Sequence, residues 1–190
     1  MALIIAAGCG GSPPPSTTQT TSASADAATP PADRQYLIER VGEAVVVQLY
    51  ADGFNELPLK EKRLIWHLSQ AAIAGRDIFY DQRSAHNLEM RDILEAIVAH
   101  PAGVDPTTLS EIQRYTKLFW INTGPYNNLT ARKFVLACTP ESFAAAARAA
   151  SRDGARFPLE DDETLDALLT RLQPMFFDPE FEPSVTTKAP

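Results

Sequence analysis

Asp105-Pro-Thr-Thr-Leu-Ser-Glu-Ile-Gln-Arg-Tyr-Thr-Lys-Leu-Phe119 reads as a helix that carries its own start signal. Asp105 can accept from the free N–H groups of a first turn, and Pro106 sits where a helix has no use for a donor. Leu109, Ile112, Leu118 and Phe119 then fall on one helical face until Gly124-Pro125 stops the run.

The same period extends in both directions. Upstream, Ser84 to Ala99 places Leu88, Ile93, Leu94 and Ile97 on one face and ends at His100-Pro101. Before it, Pro58 to Ala74 carries Leu64, Ile65, Leu68, Ala71 and Ala72 on one side, turns Lys60, Glu61 and Lys62 to water, and meets Gly75. Downstream, Thr139-Pro140 opens an alanine-rich helix that reaches Arg152 and ends at Gly154, and another runs from about Asp162 to Leu172 with Leu165, Leu168, Leu169 and Leu172 inward. The stretch from Asp33, with Tyr36, Leu37, Val41, Ala44, Val45, Gln48 and Leu49 in register, is expected to be a first helix closed by Gly53. The turns lack the Asn-Gly or Asp-Gly spacing of hairpins. The expected fold class is therefore all-α, a multi-helix lobe of about six helices over residues 34–180.

The ends differ in kind. Met1-Ala-Leu-Ile-Ile-Ala-Ala-Gly-Cys9 is an apolar run ending in small residues before a cysteine, the shape of a bacterial lipoprotein signal in which Cys9 is lipidated. It is far short of the ~20 residues that span a bilayer. Residues 10–33 are mostly Ser, Thr, Pro and Ala with no large apolar side chain, which reads as a disordered tether. Together they place the domain in the bacterial envelope, held to the membrane through a lipid anchor only. Phe176, Phe177 and Phe181 lie in a proline-rich tail and are expected to be exposed, with 181–190 the start of an interrupted continuation.

Composition removes several functions. A net charge of −7 leaves no cationic surplus for nucleic acid. His67, His86 and His100 lie too far apart in sequence to share a helical metal motif, so no metal ligand is assigned to this chain. No Gly-x-Ser-x-Gly elbow or phosphate loop occurs, and Cys138 has no catalytic signature around it and suits a small core residue. Asp77 and Asp81 could form an acid/base pair, or a solvated turn ion-paired with Arg76 and Arg83. No catalytic residue is assigned.

One segment is distinctive. Phe119 to Phe134 gathers Trp120, Tyr126 and Phe134 with Asn122, Asn127, Asn128 and Lys133 around the Gly-Pro break. Amides beside aromatic faces suit an extended peptide backbone, and the same residues also suit a capped helix end with aromatic packing.

Leu57-Pro-Leu-Lys-Glu-Lys-Arg-Leu-Ile-Trp-His-Leu-Ser-Gln-Ala-Ala-Ile-Ala-Gly-Arg-Asp-Ile-Phe-Tyr-Asp-Gln82, followed by His86-Asn-Leu-Glu-Met-Arg-Asp-Ile-Leu-Glu95, resembles the N-terminal region of bacterial dipeptidyl peptidase III. Gly75 to Gln82 is the most specific part, and Phe119 to Phe134 is similar to the stretch that follows in that family; the likeness covers about residues 36–180. It implies a two-lobed zinc peptidase that removes dipeptides from the N-termini of short peptides held in a cleft between lobes. The family's zinc motif, His-Glu-x-x-Gly-His or a variant one residue shorter, belongs to the second lobe and does not occur in these residues. The implied reading is thus an N-terminal fragment, inactive alone, with zinc, peptide substrate and a missing C-terminal catalytic lobe belonging to the full-length parent. The resemblance would set Trp120, Asn122, Tyr126, Asn127, Asn128, Lys133 and Phe134 near the substrate cleft, although Pro125-Tyr-Asn-Asn128 stands where some relatives are histidine-rich. The alternative is a complete, non-enzymatic helical envelope lipoprotein that binds peptide or protein partners.

Overall fold

The computed structural model describes residues 34–183; Cys9, the 10–33 stretch and residues 184–190 lie outside the described residues. Two compact units meet in sequence between Ala51 and Asp52. In chain order the elements are β1 (Leu37–Val41), β2 (Ala44–Val47), a 3-10 turn (Asp52–Glu56), α1 (Leu59–Ala74), α2 (Arg76–Arg83), α3 (Asn87–Ala99), α4 (Pro106–Asn122), α5 (Pro140–Arg152) and α6 (Leu165–Phe177). The architecture is mostly helical with one small antiparallel sheet.

That sheet replaces the helix expected from Asp33 to Gly53. Val45, Val46 and Val47 are β-branched, losing rotamer freedom in a helix but packing well across a ladder. Gly42 takes φ +60° and Glu43 does not take positive φ, the pattern of a type II′ turn. Arg40 then faces Val45 and Val41 faces Ala44, with an irregularity between Leu37 and Glu39. Tyr36 and Tyr50 close the open end edge to face at 5.6 Å, and the Tyr50 hydroxyl donates to the Gln35 carbonyl at 3.0 Å. The signal was a glycine at the first turn position rather than Asn-Gly.

In the second unit α3, α4, α5 and α6 enclose the core. Met90, Ile93, Leu94 and Ile97 of α3 meet Ile112, Tyr115 and Phe119 of α4, while Ala146, Ala147 and Ala150 let α5 come close. Leu168, Leu172, Met175 and Phe176 of α6 complete it. Each large side chain withdrawn from water contributes roughly 1.5–3 kcal/mol. Asp105 caps α4 by accepting from the Thr108 N–H at 2.8 Å, and Thr139 caps α5 by accepting from the Ser142 N–H at 3.1 Å.

The remaining differences from expectation have local causes. The Arg76–Arg83 stretch forms α2, because Gly75 redirects the chain after α1 without ending helicity and Tyr80 gains a place in the core. α6 runs past Leu172 to Phe177 despite Pro174, which removes a single N–H donor while burial of Met175 and Phe176 favours continuation. Phe176 is accordingly not exposed: its ring lies 4.9 Å from that of Phe143, and Phe177 packs at 5.8 Å from the same ring. Phe181 remains 42% exposed.

α1 behaves differently from the rest. None of its residues is buried, with Leu68 59% and Trp66 58% exposed. At 3.6 residues per turn, Leu64, Leu68 and Ala71 share one side, and Leu59, Trp66 and Ile73 share the other. Ile78 and Phe79 of α2 are likewise exposed. Among the described residues no helix is long and apolar enough to cross a membrane.

The core and α1 should differ in their sensitivity to truncation. Phe176→Ala should lower stability by about 3–5 kcal/mol, whereas Leu68→Ala should change it by less than about 0.5 kcal/mol, as read by urea unfolding of the two variants.

Candidate functional site

The site singled out from sequence starts where α4 ends. Thr123 turns into the left-handed region at φ 54°, and Gly124 follows at φ +136°. A Cβ on Gly124 would sit 2.7 Å from the Asn87 amide nitrogen, so only glycine fits. Asn87 is fully buried, and its Nδ2 donates to the Tyr80 carbonyl at 3.0 Å and to the Thr123 carbonyl at 3.3 Å. One amide therefore joins the ends of α2, α3 and α4.

Beyond Gly124 the chain doubles back. Tyr126 pairs with Lys133 in an antiparallel bridge, and the Phe134 N–H donates to the Pro125 carbonyl at 2.9 Å. The asparagines shape the turn between them. Asn122 Oδ1 accepts from the Asn128 N–H at 3.0 Å, and Asn127 Oδ1 accepts from the N–H groups of Leu129 and Thr130 at 2.9 and 3.0 Å. Asn128 Oδ1 accepts from Arg83. Phe134 packs on Tyr115 at 5.3 Å, edge to face.

Lys133 is the most committed side chain of the group. Its Nζ donates to the carbonyls of Pro174 at 3.0 Å, Asp178 at 2.9 Å and Phe181 at 2.7 Å. Burial pushes its ammonium pKa down, with Asp178 and Glu182 opposing the shift. The Tyr126 hydroxyl donates to the Glu182 carbonyl at 3.0 Å, and the Lys133 N–H donates to the Pro183 carbonyl at 3.0 Å. Asn122, Tyr126, Asn127, Asn128, Lys133 and Phe134 thus share one ribbon at the C-terminal end of α4. Trp120 is engaged elsewhere: it is 44% exposed and its Nε1 donates to Glu95 of α3 at 2.9 Å.

Glu95 belongs to a cluster that sequence spacing did not show. Arg91 is 6% exposed, donates to Asp77 at 2.6 Å and to Asp92 at 3.1 Å, and lies over the Tyr80 ring at 5.0 Å. The Arg91 hydrogen bond is the chief reason that the Asp77 carboxyl lies below its usual range. Asp77 also meets Arg76 at 3.3 Å, but Arg83, expected to pair within this turn, goes to Asn128. A carboxyl held ionised by two guanidiniums is a poor proton donor at neutral pH. The available signal was a charged residue, Arg91, inside the apolar spacing of α3 between Met90 and Leu94.

The histidines stand apart. His67 packs against the Trp66 ring, His86 Nδ1 lies 3.3 Å from Glu89, and His100 Nδ1 lies 3.3 Å from Asp153. Among the described residues no group of three or more His, Cys, Asp or Glu side chains is placed to hold a metal ion. These residues do not fit the zinc that the family resemblance implies. Cys138 packs beside the core, where burial raises its thiol pKa above the ordinary value, so it is not an activated nucleophile. A shallow open cleft floored by Phe143, Leu169 and Phe177, and crossed by the Arg148–Asp166 ion pair, lies on α5 and α6.

In comparison with known proteins, no family model matches the chain and no curated protein matches it.

Two measurements follow from these contacts. The Tyr115 hydroxyl is fully buried without a partner, so Tyr115→Phe should be neutral or stabilise by up to about 1 kcal/mol in thermal unfolding. Arg171 grips Glu89 at 2.7 Å and Glu163 at 3.0 Å, and its hydrogen bond is the chief cause holding each carboxyl below its ordinary value of 4.5. A depressed carboxyl stabilises above the unfolded pKa and loses that contribution as pH falls through the folded one. Urea midpoints should therefore decline as the pH drops below about 4.5, and Arg171→Met should flatten that decline.

Proposed function

We propose that this chain is the N-terminal helical portion of an envelope-anchored, zinc-dependent dipeptidyl peptidase, and that it releases no dipeptides by itself. The reading rests on the resemblance carried by Leu57 to Glu95 and Phe119 to Phe134. The observation that supports it best is α1. A helix with apolar residues on both sides belongs inside a larger packed body, and this one stands in water along its whole length. Leaving that surface uncovered forgoes about 25 cal/mol for each square ångström, so a further polypeptide wall has much to gain by covering it.

In this reading the metal and the catalytic base would both come from the second lobe. The present residues help to position a peptide, with Lys133 and Tyr126 offering donors to main-chain carbonyls. Cys9 attaches the whole to a membrane through lipid, facing the periplasm or exterior.

A second reading is favoured by one specific observation. The ribbon from Tyr126 to Lys133 already grips chain through its carbonyls alone, as a non-enzymatic envelope lipoprotein that binds peptides would do.

Incubating the purified 190-residue chain with zinc and a hexapeptide, and following products by mass spectrometry, separates active from inactive. No dipeptide should appear. The parent reading further expects the reading frame downstream of Pro190 to continue and to encode a His-Glu-x-x-Gly-His motif or its shorter variant. Zinc-dependent dipeptide release by these residues, or a frame that stops at Pro190, would overturn it.

A further inference from the structure

We propose that the segment from Asp178 to Pro183 is a built-in stand-in for a peptide ligand, and that the Tyr126–Lys133 ribbon beneath it is a binding site for a bent peptide segment carrying an aromatic side chain. The inference rests on reading Asn122 to Phe134 as peptide-facing, and it adds that the chain fills this site with its own residues.

Every polar contact between ribbon and segment goes to a main-chain carbonyl. Lys133 Nζ reaches Asp178 at 2.9 Å and Phe181 at 2.7 Å, the Tyr126 hydroxyl reaches Glu182 at 3.0 Å, and the Lys133 N–H reaches Pro183 at 3.0 Å. Carbonyls are common to all peptides, so such contacts recognise the path of a main chain rather than a particular sequence. The one side-chain contact adds a preference: the Lys133 ammonium lies 5.5 Å from the centre of the Phe181 ring, within cation–π range. The ligand class is therefore a bent peptide with an aromatic residue, two positions of which follow that ring along the ribbon.

The segment is also built to leave. Glu182 sits at φ 47°, a left-handed conformation that non-glycine residues adopt at a cost, and Phe181 keeps 42% of its surface in water. The Glu180 N–H donates to Asp178 Oδ1 at 2.9 Å, a contact made within the segment and not to the ribbon. By contrast Pro174, the third carbonyl on Lys133 Nζ, belongs to α6 and stays when the segment lifts. Lys133 thus keeps one anchor and frees donors for an incoming chain.

A tethered segment competes at an effective concentration of order millimolar, which masks the site from dilute peptide. The test uses the full chain and a fluorescein-labelled peptide of sequence Asp-Pro-Glu-Phe-Glu-Pro, read by anisotropy. The unaltered chain should bind it weakly. Phe181→Ala removes the ring from the tethered copy and should tighten binding at least tenfold. Adding Tyr126→Phe to that variant removes one donor while keeping the ring, and should weaken binding about fivefold. A probe with alanine in place of phenylalanine should bind the Phe181→Ala chain more weakly than the parent peptide.

Circular dichroism melts establish that both variants are folded. Equal binding by the unaltered and Phe181→Ala chains would overturn the self-occupied site while leaving a peptide-facing ribbon intact. Equal binding by Phe181→Ala with and without Tyr126→Phe would place the peptide elsewhere and remove the site altogether.

Discussion

The buried amide of Asn87 is the constraint around which the helical unit is arranged. It has no access to water, so each hydrogen bond that it makes is taken from the protein, and its donors go to the ends of two other helices. Gly124 lies so close beneath it that a methyl group would collide. The amide thereby fixes where α2 ends, where α3 begins and how the chain leaves α4. The path from Gly124 through Tyr126 to Lys133 inherits its direction from that corner. The Asn87 Oδ1 atom finds no partner, which leaves the corner with one unmet acceptor at its centre.

A second set of contacts ties the far end of the chain to the same corner. Leu136 N–H donates to the Phe176 carbonyl at 2.9 Å, and Lys133 reaches the last turn of α6. Arg171 then links α6 to Glu89 in the first turn of α3 at 2.7 Å. These three contacts join residues that lie tens of positions apart. Each orients a helix that is already held by apolar burial. Their joint effect is to set the α6 C-terminus against the ribbon, which is why the residues after Asp178 run across Tyr126 and Lys133.

Sequence reading succeeded where the signal was local. Asp105-Pro106 and Thr139-Pro140 are start signals complete within four residues, and α4 and α5 begin where those residues indicate. It failed where the deciding term was remote or rare. Val45 to Val47 fit a helical period and a strand equally, and the turn at Gly42 tipped the balance by accepting a backbone angle that few residues tolerate. α2 was missed because Gly75 reads as a terminator, whereas the burial of Tyr80 that keeps the chain helical is invisible in the segment itself. The candidate ribbon was legible as a group of residue types. That Lys133 would grip carbonyls more than forty residues away was not, since no spacing rule connects it to Asp178 or Phe181.

α1 has a practical corollary for anyone producing the chain. A helix with greasy flanks on both sides is the kind of surface that chaperones hold and that salts such as sulfate drive together. Its charged residues, Lys60, Glu61, Lys62 and Arg63, are gathered in the first turns and leave the apolar flanks beyond them uncovered. These sixteen residues contribute no buried side chain to the core, and their exposed apolar flanks work against solubility.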